Sequence, residues 1–362
     1  MALDPITLLG SIRELTEVIN DRLRPRKPLS TVLGSGVTEK NLLTEGIQLE
    51  TLVGDYNMAP FVNKDGVPSS ITRKNFDAFT LETPCIKISA PLTDSDLLRQ
   101  RSAGSLNFAA DGVDVMQQAA LKQIAEDMDE MLEMVALREE WMWSQLLTGS
   151  IAYEDADTNT KFSVDLKKPA GNTFTVSPLW SVMDNTPTVY EDIADAKGIV
   201  QNTYQGPAPT IALCGTDVAV ALRRRMELGL ITAIKLDSGI SAGYADLSLQ
   251  YNELGMSFLG RFGDIDFWQV SGSLTDDRGV TTPLIRADYI EFVPNSLVGK
   301  ADRKKYYGRK RGITGTINGT AVGKMSARSY IDETKDVYMQ EVQTRPLFWW
   351  RHPQWYVSMK VV

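Results

Sequence analysis

Few residues in this chain are equipped for chemistry. There is one histidine, His352, and there are two cysteines, Cys85 and Cys214. That inventory excludes a disulfide framework, a zinc knuckle and a multi-histidine metal site. The strongest enzyme-like pattern is Gly239-Ile240-Ser241-Ala242-Gly243, which has the spacing of a nucleophile elbow. In that motif a sharp strand-to-helix turn lifts the serine hydroxyl toward a histidine base, and Asp264 or Asp266 followed by His352 supplies the matching chain order. The surroundings argue against it, because no alternating βα series leads in and no HG-type oxyanion loop lies upstream. The segment reads as a solvent loop of small residues. A serine hydrolase using Ser241 is the weaker alternative, and the expectation is a chain that is not an enzyme.

Three further patterns fail on chemistry. Gly319 to Met325 resembles a phosphate loop, but it is one residue short, and Met325 stands where a magnesium-binding Ser or Thr is needed. Asp155, Asp157 and Asn159 open like a calcium loop, yet Thr160 replaces the turn glycine and Leu166 replaces the bidentate glutamate. Glu126, Asp127, Asp129, Glu130 and Glu133 would suit a di-metal site only with Glu-x-x-His partners, which a single histidine cannot provide. They read as a solvated or interfacial helix face. No cofactor and no metal are expected.

Charge narrows the partners. The chain carries 38 Lys plus Arg against 46 Asp plus Glu, a formal charge of −8, which argues against a broadly basic nucleic-acid coat. Two basic runs stand out, Arg223 to Arg225 and Lys300 to Gly312, the latter with seven cations and two tyrosines. On an acidic chain such runs read first as loops meeting an acidic neighbour, and second as nucleic-acid contacts. No apolar run approaches the ~20 residues of a membrane span, and the N-terminus lacks the pattern of a secretory signal.

The elements that would carry these residues follow from periodicity. Leu8, Ile12, Leu15 and Ile19 predict a short amphipathic helix, with Pro25 and Pro28 stopping it. Residues 30 to 56 read as extended segments joined by turns. Met58 to Leu92 reads as a long hairpin with a polar tip. Met116, Ala120, Ile124, Met128, Met131, Val135, Met142 and Leu146 share one face of a helix over about 111–149, capped by Asp111 and stopped by Gly149. At 1.5 Å per residue such a helix would reach on the order of 50 Å. A hairpin turning at Asp155 to Thr160, a helix near Val189 to Gln201, a strand–helix pair from Thr210, paired strands over Ser257 to Gly272 and a terminal strand pair complete an α+β chain. At 362 residues the length itself suggests two domains.

The order of these parts, and several local segments, carry a resemblance. Trp180 to Ile193 (WSVMDNTPTVYEDI), Gly215 to Arg223 (GTDVAVALR) and Phe258 to Gly272 (FLGRFGDIDFWQVSG) occur in the right succession, followed by ARSYID and QTRPLFWWRHPQ. Together they resemble the major capsid proteins of tailed bacteriophages with the Hong Kong 97-like fold, most closely the lambda-type capsid family. Lys300 to Arg311 is more basic than the family's loop there, and WWRH replaces a more aliphatic segment.

The resemblance implies an N-terminal arm over 1–45, an extended loop with flanking strands over 46–95, and a peripheral domain with the spine helix over 96–202. It implies an axial domain over 203–328 and C-terminal strands over 329–362 returning to the peripheral domain. The implied function is self-assembly of hexamers and pentamers into an icosahedral procapsid that expands around packaged double-stranded DNA, bound without sequence specificity. A nanocompartment shell of the same fold is the alternative. Implied partners are a separate scaffold, with a protease, a portal and a decoration protein; no membrane is involved. Candidate inter-subunit contacts are Asn63, Lys64, Asp65, Arg73 and Lys74 at the loop tip. Arg223, Arg225, Lys304, Arg309 and Arg311 are the candidates in the basic runs. Some relatives cross-link this loop through a lysine and an asparagine, but Lys64 and Lys74 have no specific partner and no cross-link is expected.

Overall fold

The computed structural model describes residues 27–42, 46–53, 75–92, 112–155, 160–184, 187–231, 255–262, 264–276, 279–308, 324–332 and 337–362. The helix expected near Leu8 to Ile19, the hairpin tip, the Ser241 loop and the basic residues after Gly308 lie outside them.

The first described element is a short helix, α1 (Pro28–Gly34), with Leu29, Val32 and Leu33 buried. Pro28, read from sequence as a stop, begins this helix. At the first helical position its missing N–H costs nothing and its fixed φ suits the turn. Strands β1 (Thr38–Asn41), β2 (Gly46–Val53), β3 (Asn75–Glu82) and β4 (Ile86–Leu92) follow. β2 and β3 pair over their whole length, so the arms of the long hairpin start earlier than the sequence suggests, and β4 leaves it for another sheet.

The spine helix α2 (Gly112–Thr148) has 37 residues, about 56 Å at the α-helical rise. Ile124, Met128, Met131, Val135, Met142 and Leu146 are buried, as their spacing requires. Gly149 ends the helix at φ +97°, where a Cβ would fall 2.9 Å from Lys168 Cβ. Only glycine takes that left-handed position without strain. A hairpin, β5 (Ser150–Asp155) with β6 (Thr160–Asp165), then leads to β7 (Thr173–Thr175), α3 (Val189–Gly198), β8 (Ile211–Cys214) and α4 (Thr216–Glu227). At the β8–α4 turn a Cβ on Gly215 would lie 2.1 Å from Arg286 O, so close backbone approach demands glycine there.

Next come β9 (Met256–Phe262), β10 (Ile265–Val270), β11 (Ser273–Thr275), β12 (Thr281–Pro283), β13 (Tyr289–Val293), α5 (Leu297–Asp302) and β14 (Arg303–Tyr307). β15 (Met325–Asp332), β16 (Val337–Thr344), β17 (Pro346–Trp350) and β18 (Val357–Lys360) close the chain. The boundary placed from sequence at 328 falls inside β15.

Among the described residues, three sheets have three or more strands, and β2-β3, β5-β6 and β11-β12 pair separately. The largest has the order β7-β18-β13-β8-β10-β9, and two smaller ones run β15-β16-β4 and β1-β14-β17. The expected terminal strand pair does not form. β16, β17 and β18 go to three different sheets, and the reason is burial. Every residue of β17 is buried, which demands cover on both faces and rules out a peripheral two-stranded ribbon.

The spine helix joins two apolar clusters. Ile124, Met128, Met131, Leu132 and Val135 pack on Leu92, Met325, Ala327 and Val342 of the β15-β16-β4 sheet. Met142, Trp143, Leu146 and Leu147 enter the main core with Trp180, Phe267, Phe292 and Phe348.

Candidate functional site

The sharpest polar construction is the joint where α1, the spine helix and β14 meet. Glu140 on the spine accepts the Leu29 N–H at 2.5 Å and the Ser30 N–H at 2.9 Å, satisfying two orphan donors at the start of α1. Burial pushes its carboxyl up to about 7, opposed by those two N–H groups, the Ser30 side chain and the charge of Lys27. Lys27 itself pairs with Glu133. At the other end of α1 the fully buried Arg303 donates to Val32 O at 3.2 Å and Leu33 O at 3.0 Å, and also to Pro294 O at 2.6 Å. Its Nε reaches the Tyr356 hydroxyl at 3.3 Å. One guanidinium thus satisfies the last carbonyls of α1 and ties two further segments, at Pro294 and Tyr356, to it. Lys305, two residues on, pairs with Glu139 of the spine at 2.7 Å in a buried contact.

These anchors fix the chain from which the long ribbon departs. β2 and β3 form a two-stranded sheet of eight cross-strand pairs, from Gly46 opposite Glu82 to Val53 opposite Asn75. The pair Ile47 and Leu81 at its base packs against the main core. The tip candidates Asn63, Lys64, Asp65, Arg73 and Lys74 lie outside the described residues, as do Arg309 and Arg311.

The remaining candidates separate. Arg223 is exposed and donates to Gln269 Oε1 at 2.7 Å. Arg225 turns inward and is 1% exposed. Its guanidinium donates to Trp180 O at 2.9 Å, to Asp184 O at 3.4 Å and to Val182 O, so inside the subunit it serves carbonyls rather than a neighbour. Lys304 is half-buried, and burial followed by the positive charges of Arg351 and Lys40 holds its amine below the usual lysine range. The basic run is therefore not one charged loop. Arg303 and Lys305 alternate inward on β14, and the acidic neighbour of Lys305 is the chain's own spine.

Sequence reasoning missed Glu139, Glu140, Lys40 and Arg351. Glu139 carried a usable signal: it sits four residues after Val135 and three before Met142, on the apolar stripe, where a carboxylate needs a buried cation.

Among the described residues, the acids and the histidine of the catalytic pattern each have another partner. Ser241 lies outside the described residues. Asp264 pairs with Lys197 at 2.7 Å and Asp266 with Arg261 at 2.6 Å, while His352 Nδ1 meets Asp302 at 2.5 Å. The imidazole also stacks on Trp355 with ring centroids 4.1 Å apart. Among the described residues no cluster of His, Cys, Asp or Glu able to hold a metal occurs. No described helix is long and apolar enough to cross a membrane.

Comparison with known proteins agrees with the fold. A protein assigned as a prophage capsid protein from Escherichia coli CFT073 superposes with a TM-score of 0.68 at 16% identity, covering 97% of each chain. The capsid of Ralstonia phage GP4 gives 0.49 at 11% identity, covering 94% of this chain and 92% of that one. The SrpI encapsulin of Synechococcus elongatus PCC 7942 gives 0.44 at 10% identity, covering 94% and 91%. The last two scores are too low to carry an argument. No curated protein matches the sequence. The profile of one family, described as phage major capsid protein E, matches residues 11–361. With an α+β chain of the Hong Kong 97-like capsid fold and a match over almost its full length, the protein belongs to the phage major capsid protein E family, and it is a structural shell protein rather than an enzyme.

Proposed function

We propose that copies of this chain form the hexamers and pentamers of an icosahedral head, assembled as a procapsid that expands around double-stranded DNA. The ribbon of β2 and β3 carries the reading. A two-stranded sheet is marginal in water by itself, and beyond the Ile47–Leu81 pair it needs a surface to lie on. A neighbouring subunit supplies that surface in a shell. The arm over 1–45, the loop over 46–95, the peripheral domain over 96–202 closed by the C-terminal strands over 329–362, and the axial domain over 203–328 then have distinct assembly roles. Asn63, Lys64, Asp65, Arg73 and Lys74 would meet the adjacent subunit. Arg223, Arg309 and Arg311 are the further contact candidates from the basic runs.

Scaffold, portal and decoration proteins complete the set of partners, and assembly takes place in the host cytoplasm. A chain with a formal charge of −8 suits a lining that lets DNA be packed and released without sequence-specific grip. Many modest contacts repeated around each subunit make such a shell stable even where single contacts are weak.

Electron microscopy of the recombinant protein, alone and with its scaffold, tests the reading. Icosahedral shells, or hexamers and pentamers, are expected. A monodisperse monomer under both conditions would overturn the reading, and shells that enclose an enzyme cargo instead of DNA would favour a nanocompartment.

A further inference from the structure

Resting on that shell reading, we propose that Lys40, Lys304 and Arg351, with the Tyr306 phenol beside them, form a cationic socket. It takes the α3 carboxylates Glu191 and Asp195 of a second copy of this chain.

Strand register builds the socket. β1 runs parallel to β14, with Thr38 opposite Lys304 and Lys40 opposite Tyr306; β17 runs antiparallel to it, with Trp349 opposite Lys304. Because side chains alternate along a strand, Lys304 and Tyr306 share one face of this sheet with Lys40, and Arg351 continues the parity of Trp349 just past β17. The three cations come from three separate stretches of chain. Lys40 and Arg351 are exposed and Lys304 is half-buried. Both cations act electrostatically on the Lys304 amine, and Arg351 also acts on the Tyr306 phenol.

None of the three cations has an ion-pair partner among the described residues. The acid that acts on the Lys304 amine is Asp302, whose carboxylate is 1% exposed and is engaged by His352 Nδ1. Other cations find acids within the chain, as Lys305 does Glu139, Lys197 Asp264 and Arg328 Glu341, whereas exposed Arg223 donates to the Gln269 amide. Crowding like charges costs free energy, so an uncompensated trio points to an anion from outside the subunit.

The mirror image of this cluster lies on α3. Glu191 and Asp195 are four residues apart and so share a helix face, and both are exposed. Neither has a cationic partner among the described residues. Their charges also act unfavourably on Asp192, whose carboxyl burial already raises. The helix N-terminus favours Glu191 and Asp192, but Asp195 lies beyond the first turn, where that effect has faded. Two unmatched patches of opposite sign on one chain make a head-to-tail contact, and head-to-tail contacts close into rings when the rotation fits.

Charge reversal tests the contact on the full chain with its scaffold, with the unaltered protein assembled in parallel. Lys304→Glu and Asp195→Lys are each expected to lower the yield of sedimenting particles by about tenfold, and the double variant to restore it to within about threefold. Thermal melts check that each subunit is folded. Should either reversal fail to fold, Lys304→Ala and Asp195→Ala replace them, with weakened assembly and a reduced salt dependence expected. Single variants that assemble like the parent, or a double variant that does not recover, would overturn the contact while leaving the shell reading intact. Normal assembly of Lys304→Glu with loss of DNA retained in the particle would reassign the socket to phosphodiesters. A parent that stays monomeric would overturn both readings.

Discussion

Glu140 shows how a single residue can set a pH response. Folding raises its carboxyl from 4.5 to about 7, chiefly through burial. Between those values the folded chain holds a proton that the unfolded chain has released. The stability from this group is therefore complete below about 4.5 and is lost as the pH rises through about 7. The difference amounts to on the order of 3 kcal/mol. Glu140→Gln, which mimics the protonated acid, is expected to remove that part of the pH slope, seen as urea midpoints of variant and parent that drift apart as the pH rises across the window. An unchanged slope in the variant would place its origin in another group. Charge was legible in sequence at this scale, but its direction was not. Arg223 and Arg225 sit two apart in one basic triplet, yet one faces solvent and the other is enclosed by the carbonyls of Trp180, Val182 and Asp184.

Among the elements, the spine helix and the ribbon behave differently for a physical reason. The spine has its own periodic stripe and two cores to cover, so its limits could be read to within a residue or two. The ribbon's strands are defined only by their pairing, and the first arm was misplaced because Gly46 to Val53 is no more β-prone than Met58 to Val62. Removing Asn63 to Lys74 leaves both strands and the Ile47–Leu81 anchor in place. The deleted chain is expected to melt within a few degrees of the parent, as the entropy of closing a connection changes slowly with its length. It should form particles poorly in sedimentation and microscopy. Normal assembly and expansion would show that this loop is not the inter-subunit contact.

At the scale of the whole molecule, β18 ties together the six-stranded sheet. β18 lies between β13 and β7, and Val357, Met359 and Val361 are completely buried. Beside it, the buried Lys168 donates to Leu147 O at 3.0 Å and to Ser358 Oγ at 2.6 Å, coupling the end of the spine to the sheet. Deleting residues 357–362 would open the six-stranded sheet at its second strand. The expected outcome is insoluble protein, or a soluble chain without a cooperative thermal transition. A cooperative melt near the parent's would mean that the sheet closes without β18.

By itself the sequence determined the elements whose periodicity is local. These are the long spine and its glycine stop, the β5–β6 hairpin, the β8–α4 unit, the β9–β10 pair and α3 near its expected place. It also made a catalytic constellation the weaker expectation, because one histidine and two distant cysteines narrow the choice of reactive groups. Only the tertiary structure decided which sheet each strand joins and which charges face inward. Those outcomes depend on contacts far apart in sequence, such as Arg303 with Val32 and Leu33, or β18 with β7. A strand's composition states that it must be covered, but not by what. Pro28 shows the same limit on a small scale: its ring can end a helix or begin one, and the carboxylate of Glu140, 112 positions further on, accepts the two amides that follow it.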